Sequence, residues 1–381
     1  MFKTLKDFEF NNKKVLVRCD FNVPLEKNKV SDDFRIEKTL PTINYLIEKG
    51  AKLILISHHK NNISLKPIAD YLRNILRKNV KFIADCQGKR TENEVKKMKS
   101  GEIVLLENLR FYPEEEKNDE SFGKGLAKLA DIYISEAFSV AHRPHASIVS
   151  APKFLPKGIG FQFEEEFEVL SKLLTVPLRP QVIIIGGAKI SSKVKIIENF
   201  LRKADHLLLG GKIANAILAV KGIVIGGVEL QEEIVSKIKN LNLTSTKIHL
   251  PIDVIASPDQ SGEVYIRQTG PGGVRGDEGI FDIGPETIET FSRIIKEAAT
   301  IVWAGPLGLW EKEKFGKGTR EIAEIIAKNT SAFSVAGGGD TISAIKKFNL
   351  LDKFSFVSTG GGAMLSFLAE EKLPGIEALK V

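Results

Sequence analysis

Short apolar runs alternate with longer amphipathic stretches along the whole 381-residue chain. In the first half the runs KVLVRCDF (14–21), AKLILISHH (51–59), VKFIAD (80–85), EIVLLEN (102–108) and DIYISEAF (131–138) are apolar on both faces. That is the pattern of parallel strands buried beneath helices. Between them, segments such as 36–49 and 119–130 space Leu, Ile, Ala and aromatic residues at helical intervals. A second series starts at QVIIIGG (181–187) and continues through HLLLGG (206–211), KIHLPIDVIAS (247–257), TIVWAGP (300–306), AFSVAGGG (332–339) and FSFVSTGGG (354–362). Strand, helix, strand at this rhythm predicts an α/β fold with parallel sheets and right-handed crossovers. Two series predict two sheets and hence two domains, and FQFEEEFEVLSKLL (161–174), at the change-over, reads as the long helix connecting them.

Composition narrows the class of protein. With 43% hydrophobic and 27% charged residues and no low-complexity tract, the chain is neither disordered nor fibrous. Cys19 and Cys86 are too few for a disulfide framework or a structural zinc site, which points to a reducing compartment. The N-terminus MFKTLKDFEF lacks the long apolar core of a signal peptide, and no apolar run approaches the ~18 residues of a membrane span. The expectation is a cytoplasmic, water-soluble protein. The net charge of +7 comes mostly from residues 1–165, where 29 basic residues face 23 acidic ones. A nucleic-acid binder concentrates charge far more than this, whereas a pocket for a small anion needs only a few cations.

In open parallel sheets ligands bind beyond the carboxyl ends of the strands, so those ends carry the functional information. In the first half they offer Arg18, Asp20 and Asn22; His58 and His59; Glu107, Asn108 and Arg110; and Glu136 followed by His142 and Arg143. In the second half they offer Gly186, Gly187 and Lys189; Gly210 and Gly211; Gly305; Gly337 to Asp340; and Gly360 to Gly362. Cationic and hydrogen-bonding side chains crowd one domain and glycine-rich turns the other. A glycine turn that opens a helix lets backbone N–H groups approach phosphate oxygens at the positive helix end. One such turn is weak support, but several in one sheet, with Lys189, Lys193 and Asp340 nearby, suggest a nucleotide. The cationic half suggests a small polyanion. There is no GxxxxGK[ST], no GxGxxG after the first strand of either half, no G-x-S-x-G and no H-E-x-x-H. P-loop enzymes, dinucleotide dehydrogenases, triad hydrolases and zincins are therefore unsupported. Strand alternation turns His58 and His59 to different sides, against a metal pair. The run Glu114–Glu116, following a proline, reads as a solvated loop or helix start.

Seven blocks in register, VLVRCDFNVP (15–24) with Arg35 downstream, LLENLRFYPEEE (105–116), AFSVAHRPHAS (137–147), GGAKISSK (186–193), GPLGLWE (305–311), GGGDT (337–341) and STGGGA (358–363), closely resemble phosphoglycerate kinases from about Arg18 to the terminal LPGIEAL (373–379). The resemblance implies two Rossmann-like domains, at 1–160 and 176–365, joined by a connecting helix at 161–175. A C-terminal tail, about 366–381, returns to the first domain. It also implies reversible phosphoryl transfer between 1,3-bisphosphoglycerate and ADP, giving 3-phosphoglycerate and Mg-ATP, by a monomer that closes its domains. By the same resemblance Asp20, Phe21, Asn22, Arg35, His58, Arg110 and Arg143 hold the glycerate, with His59, Lys60 and Asn61 in the same loop. Lys189, Lys193, Glu311, Gly338, Gly339, Asp340 and Thr341 hold the nucleotide, Glu311 at the ribose and Asp340 towards magnesium. Arg35, Lys189, Gly338 and Gly361 are the groups implied at the transferring phosphoryl.

Some positions depart from the family pattern. After His58 the family usually reads H-L-G-R-P, whereas this chain reads His58-His59-Lys60-Asn61-Asn62, so Asn61 replaces a substrate-binding arginine. Lys60 is the neighbouring cation, without arginine's bidentate fork. Ala304 stands where Asn-Gly-Pro is usual, and Glu136 and Val140 replace the common Asp and Thr. Two other readings are open at this point: a kinase of the same fold for another small carboxylic acid, and a non-enzymatic anion- or RNA-binding relative.

Overall fold

The computed structural model describes residues 1–223 and 230–381, with the side chains of Asn61 and Ser192 also outside the described residues. The chain divides into two compact units, Met1–Leu170 with Lys372–Val381, and Ser171–Glu371.

The first unit is built on six strands, β1 (Lys14–Arg18), β2 (Lys52–Ile56), β3 (Val80–Ile83), β4 (Ile103–Leu106), β5 (Ile132–Ser135) and β6 (Lys157–Ile159). They lie in the order β3-β4-β2-β1-β5-β6, every pair parallel. Val15, Val17, Leu53, Leu55, Ile103, Leu105 and Ile134 share one core with Ile36, Ile43, Leu46, Ile68 and Leu72 of the covering helices. The strands end earlier than their apolar runs. Register places Arg18 level with Ile56 and Ser135, and the ladder stops there while the chain remains apolar or buried through Phe21 and Phe138. Hydrophobicity marks burial, and burial continues into the loops.

The second unit carries β7 (Gln181–Ile185), β8 (His206–Leu209), β9 (Ile248–His249), β10 (Val254–Ser257), β11 (Arg267–Thr269), β12 (Gly279–Ile283), β13 (Thr300–Ala304), β14 (Phe333–Gly337) and β15 (Phe356–Ser358). Its main sheet has the order β9-β8-β7-β13-β14-β15, again with every pair parallel. Leu209, Ile185, Ala304, Gly337 and Ser358 form one level row. The glycines that follow therefore emerge along one edge.

The segment 247–257 is a correction to the sequence reading. It is two strands in two sheets: β9 edges the parallel sheet, and β10 is the centre of an antiparallel sheet with β11 and β12. Pro251 lies between the two strands, and a proline has no N–H to give a ladder.

Phe161–Thr175 is helical, its residues through Leu170 assigned to the first unit and the rest to the second. The buried Glu136, just past β5, caps its start by accepting from the N–H groups of Phe163 (3.0 Å) and Gln162 (3.4 Å). The helix Pro374–Leu379 joins the first unit through a bond from Gly375 N–H to Ala141 O of 2.8 Å. A Cβ at Gly375 would lie 2.7 Å from Ile148 and 2.9 Å from the Ala141 Cα, so the close approach needs glycine. No helix among the described residues is long and apolar enough to cross a membrane.

Candidate active site

In the first unit, functional side chains gather where β1, β2, β4 and β5 end. Arg18, on the last residue of β1, is fully buried. Its Nε donates to Ser147 Oγ (2.8 Å), Nη1 to Cys19 O (2.5 Å), and Nη2 to His58 Nδ1 (3.2 Å). The buried Glu115 carboxylate lies 4.0 Å from Arg18 and accepts from the Ser147 N–H (2.8 Å) and hydroxyl (2.6 Å). Since guanidinium can only donate, His58 Nδ1 accepts and Nε2 is left as the ring's donor. His58 is held well below its ordinary pKa, first by burial and then by Arg18, Arg110, Arg143 and Arg35. Burial and the same arginines Arg18, Arg143 and Arg110 bring His145 down to about 4. One guanidinium, that of Arg18, thus touches this imidazole, and the charges of Arg110, Arg143 and Arg35 also disfavour its protonation.

The remaining members are held by short loops. Arg35, at the start of the helix Phe34–Glu48, pairs with Asp20 at 3.2 Å and donates to Asn22 O at 2.9 Å. Asp20 also accepts from Ser139 Oγ and from the Asn22 N–H. Phe21 is buried and its N–H donates to Ser57 Oγ at 2.9 Å. Arg110 sits within a 3-10 turn positioned by Asn108, whose Oδ1 accepts from the Arg110 N–H. Its Nε lies 3.3 Å from Glu116, close enough for an ion pair but not aligned for a hydrogen bond, and its Nη2 is buried with no hydrogen-bond partner among the described residues. Burial, followed by the nearby Arg143, pushes Arg110 below its ordinary pKa. A buried guanidinium nitrogen without an acceptor is costly, and a bound oxyanion would supply the acceptor. His59 is turned elsewhere: its ring nitrogens face Lys60 O (2.6 Å) and Val23 O (2.8 Å). Asn61's side chain lies outside the described residues.

In the second unit the site is made of backbone. At the switch in strand order, β7 and β13 end side by side in Gly186-Gly187 and Gly305-Pro306. Gly187 N–H donates to Pro306 O at 2.7 Å, and Gly305 N–H to Thr341 Oγ1 at 2.7 Å. A Cβ on Gly186 would stand 2.1 Å from Pro306 O. Gly338 has φ +101°, and a Cβ on Gly361 would fall 2.5 Å from the Gly338 Cα, so two helix starts, Gly339–Lys347 and Gly361–Leu368, are brought together only by glycine. A cavity of about 540 Å³ opens here. Gly187, Gly211, Phe281, Pro306, Leu307 and Leu309 give it apolar or backbone walls, and Glu311 and Asp340 bring carboxylates to its lining. Lys193 donates to Gly186 O, and burial brings its amine down to about 8 against the opposing pull of Asp340. Lys189 is exposed. Asp340 lies in the first turn of its helix, and no cluster of three or more metal-ligating acids, His or Cys is found among the described residues. The Asp340 carboxylate on the cavity lining is of the kind magnesium takes, an ion that keeps water and phosphate oxygens and needs only one or two carboxylates from protein.

Sequence reasoning missed the layer beneath these groups. Glu115 is fully buried under Arg18 instead of solvated. Ser139 and Ser147 bond to Asp20, Arg18 and Glu115 across more than 100 or about 30 residues of chain. The one local sign was the position of Glu115 between two other acids, which gave no hint of an inward direction. Asp282, buried in the cavity wall and accepting from Gly318 N–H (2.8 Å) and Ile283 N–H (2.9 Å), was likewise unmarked.

Comparison with known proteins bears on these two sites. A family model described as phosphoglycerate kinase matches residues 5–371. The phosphoglycerate kinase of Borreliella afzelii is 44% identical over 394 residues, covering 99% of both chains. That of Herpetosiphon aurantiacus is 43% identical, covering 99% of this chain and 98% of its own. Among solved structures, phosphoglycerate kinase from Pyrococcus horikoshii has a TM-score of 0.88 at 35% identity, over 100% of this chain and 98% of the other. The Coxiella burnetii enzyme gives 0.80 at 36%, over 100% and 99%. A match this long, on a chain that presents a guanidinium cluster in one unit and a glycine-walled cavity in the other, establishes that the chain belongs to the phosphoglycerate kinase family.

Proposed function

We propose that the cationic cluster of the first unit holds 3-phosphoglycerate or 1,3-bisphosphoglycerate and that the cavity of the second holds Mg-ATP or Mg-ADP. The reaction is that of the family, an ATP-dependent phosphotransfer to a carboxyl group. The observation that carries the substrate assignment is the buried Arg110 Nη2, which has no acceptor among the described residues, in a unit where the charges of Arg18, Arg110, Arg143 and Arg35 also act on His58. In this reading Arg110, Arg143 and His58 Nε2 donate to the glycerate's oxygens. Asn22 and the Asp20–Arg35 pair set its orientation over Phe21, and Lys60 closes one side.

On the nucleotide side, the apolar and glycine walls take the base, and Glu311 accepts from ribose hydroxyls. Lys189, Lys193 and the Gly338–Gly339 backbone meet the phosphates, while Thr341 shapes the Gly305 turn. Magnesium arrives with the nucleotide, and Asp340 is the carboxylate placed to share it. Bound there, the ion would offset phosphate charge.

The attacking group towards ATP is a carboxylate, ionised at neutral pH, so no general base is required. What remains is repulsion between two polyanions and the charge spread over three oxygens in transfer. Catalysis is then positioning and charge stabilisation. Arg35 from one unit and Lys189, with the helix starts at Gly338 and Gly361, from the other would clamp the phosphoryl. Because the ligands belong to different units, transfer requires closure, which also keeps water from the acyl phosphate. The same reading makes the protein a cytoplasmic monomer. The readings as a kinase for another acid or as a non-enzymatic binder are not favoured.

The test is ATP consumption with 3-phosphoglycerate and magnesium, with 1,3-bisphosphoglycerate trapped by a coupled dehydrogenase. Turnover dependent on both substrates is expected. Turnover with a different small acid and none with 3-phosphoglycerate would overturn the assignment.

A further inference from the structure

A parallel sheet has two unlike ends. In the first unit the cationic cluster lies where the strands finish, and the end where they begin carries a second, separate concentration of charge. Taken as each strand's first residue with the five before it, the six strand entries hold ten basic and four acidic residues. That is an excess of six positive charges, against +7 for the whole chain. Seven of the ten basic residues are exposed, Lys13, Lys49, Lys78, Lys99 and Lys128 among them.

Hydrogen bonds place the entries side by side. Gly50 O accepts from the Asn12 N–H at 3.0 Å and from Ser100 Oγ at 2.8 Å, so the turns before β1, β2 and β4 meet at one residue. Lys52 N–H reaches Lys13 O, and Asp131 N–H, before β5, reaches Lys14 O, both at 2.8 Å. Six strands at the usual spacing make the row about 24 Å wide.

The charges in this row are not balanced. None of the ten basic side chains makes an ion pair or a hydrogen bond among the described residues; Lys49 lies over the Tyr45 ring at 5.6 Å. Three of the four acids are bound to backbone: Glu9 accepts from Asn11 N–H (3.3 Å), Glu102 from Lys99 N–H (2.9 Å) and Asp131 from Lys14 N–H (2.8 Å). On other surfaces exposed lysines pair with acids, as Lys237 does with Glu233 and Lys380 with Glu377. Unpaired like charges repel, and an opposed anionic surface relieves that repulsion.

We infer that the strand-entry face of the first sheet docks electrostatically on an anionic lipid membrane. Its make-up favours lipid over nucleic acid. Nine of the ten cations are lysines, point charges without the fork that arginine offers to phosphates. Phe154 is the one exposed aromatic side chain in the entries, so bases would find no row of rings to stack on. Clustered lysines near a surface are what anionic headgroups attract. Nothing inserts, so the protein stays water-soluble, and the strand ends that carry the cationic cluster point the other way.

The experiment is co-sedimentation of the full chain with vesicles of phosphatidylcholine containing about 30% phosphatidylserine, and with pure phosphatidylcholine, at about 0.05 M and about 0.5 M salt. Binding is expected to phosphatidylserine at low salt and to be lost in the other three conditions. Lys13→Gln/Lys78→Gln/Lys99→Gln should weaken it roughly a hundredfold, about fivefold per lysine. Lys239→Gln/Lys296→Gln/Lys328→Gln removes the same charge from exposed lysines of the second unit and should weaken it less than about threefold. Thermal melts show whether both variants are folded; if one melts early, the wild-type lipid and salt conditions decide. No binding by the wild type to phosphatidylserine at low salt, or equal weakening in the two variants, overturns the inference. So does an RNA duplex that displaces the protein from the vesicles and loses affinity in the first variant alone, since nucleic acid would then be the occupant.

Discussion

In the first unit the groups offered to a ligand are side chains, aimed by other side chains; in the second they are mostly backbone, aimed by the absence of side chains. Arg18, Arg35 and Arg110 reach their positions through Glu115, Asp20 and Asn108. Gly186, Gly338 and Gly361 reach theirs because no Cβ fits. In the proposed function the difference follows from the ligands. A small acid with few features is held by forked donors that fix its orientation. A phosphate chain on a flat base is met by N–H groups at helix starts and by smooth walls. Each unit is therefore vulnerable to the opposite kind of change, deletion in the first and addition in the second.

The largest effect is expected at Lys189 and Arg35, the two cations proposed to act on the phosphoryl group. Lys189→Ala should lower kcat by about 100-fold, on the order of 3 kcal/mol by comparison with single oxyanion donors, with the melting temperature unmoved because Lys189 is exposed. Arg35→Ala should cost a similar factor, but it also leaves Asp20 without its cation, so a modest loss of stability accompanies it. Steady-state kinetics beside thermal melts separates the two. Equal KM rises with full kcat would show that neither group acts on the transferring phosphoryl.

Addition in the second unit comes next. Gly361→Ala puts a methyl 2.5 Å from the Gly338 Cα and 2.7 Å from its nitrogen, all backbone and unable to rotate away. The helix starts must part, costing about 1–3 kcal/mol of stability together with nucleotide affinity. In contrast Gly88→Ala meets no atom within 4 Å and is strained only by its φ of +96°. Equal losses at both positions, measured by denaturant titration, would mean that close packing at the helix starts is not what Gly361 provides.

This contrast also explains what the sequence could show. Glycine turns and strand-end arginines are visible because their residue types are unusual in apolar surroundings, and the seven ordered blocks identified the family. The supports were not visible. Glu115 reads as one acid in a row of three, Ser147 as an ordinary serine, and their bond depends on the loop after β5 folding back on the turn after β4. Segment 247–257 failed for a related reason: its apolar pattern is continuous, while the chain changes sheet at a point marked only by Pro251.

A smaller and more selective effect concerns titration. Burial and then positive neighbours hold His145 at about 4, and burial holds Lys193 at about 8. An anion beside either favours its charged form and raises its pKa. 3-Phosphoglycerate should therefore shift His145 upward and leave Lys193 in place, while ADP should do the reverse. Site-resolved NMR titrations with each ligand alone check this, and a shift of both groups by one ligand would erase the division between the units.

A last test concerns a point at which the units are alike. Glu136 in the first and Asp282 in the second are buried acids, each accepting two backbone N–H bonds and each raised to about 7, chiefly by burial. Glycine makes room for both: a Cβ at Gly160 would lie 2.4 Å from the Glu136 carboxyl carbon, and one at Gly308 2.1 Å from Asp282 Oδ1. The sign of the linkage is opposite to that of a salt-bridged carboxylate. As pH rises from about 4 to about 7, the unfolded chain releases these protons while the folded protein keeps them, so unfolding is favoured and stability falls. Above about 7 both states are ionised and the contribution levels off. Glu136→Gln and Asp282→Asn should each lose one accepted backbone bond at every pH, but neither should show that decline. Relative to each variant, the wild type should thus be most stable near pH 4 and lose its advantage steadily to pH 7, as read by urea titrations across the range. With no shared partner the two contributions should add in the double variant. Wild-type and variant curves that run parallel from pH 4 to 8 would show that these carboxyls ionise in the folded protein as they do in the unfolded chain, and that the glycine-made pockets around them admit enough water to keep them ordinary.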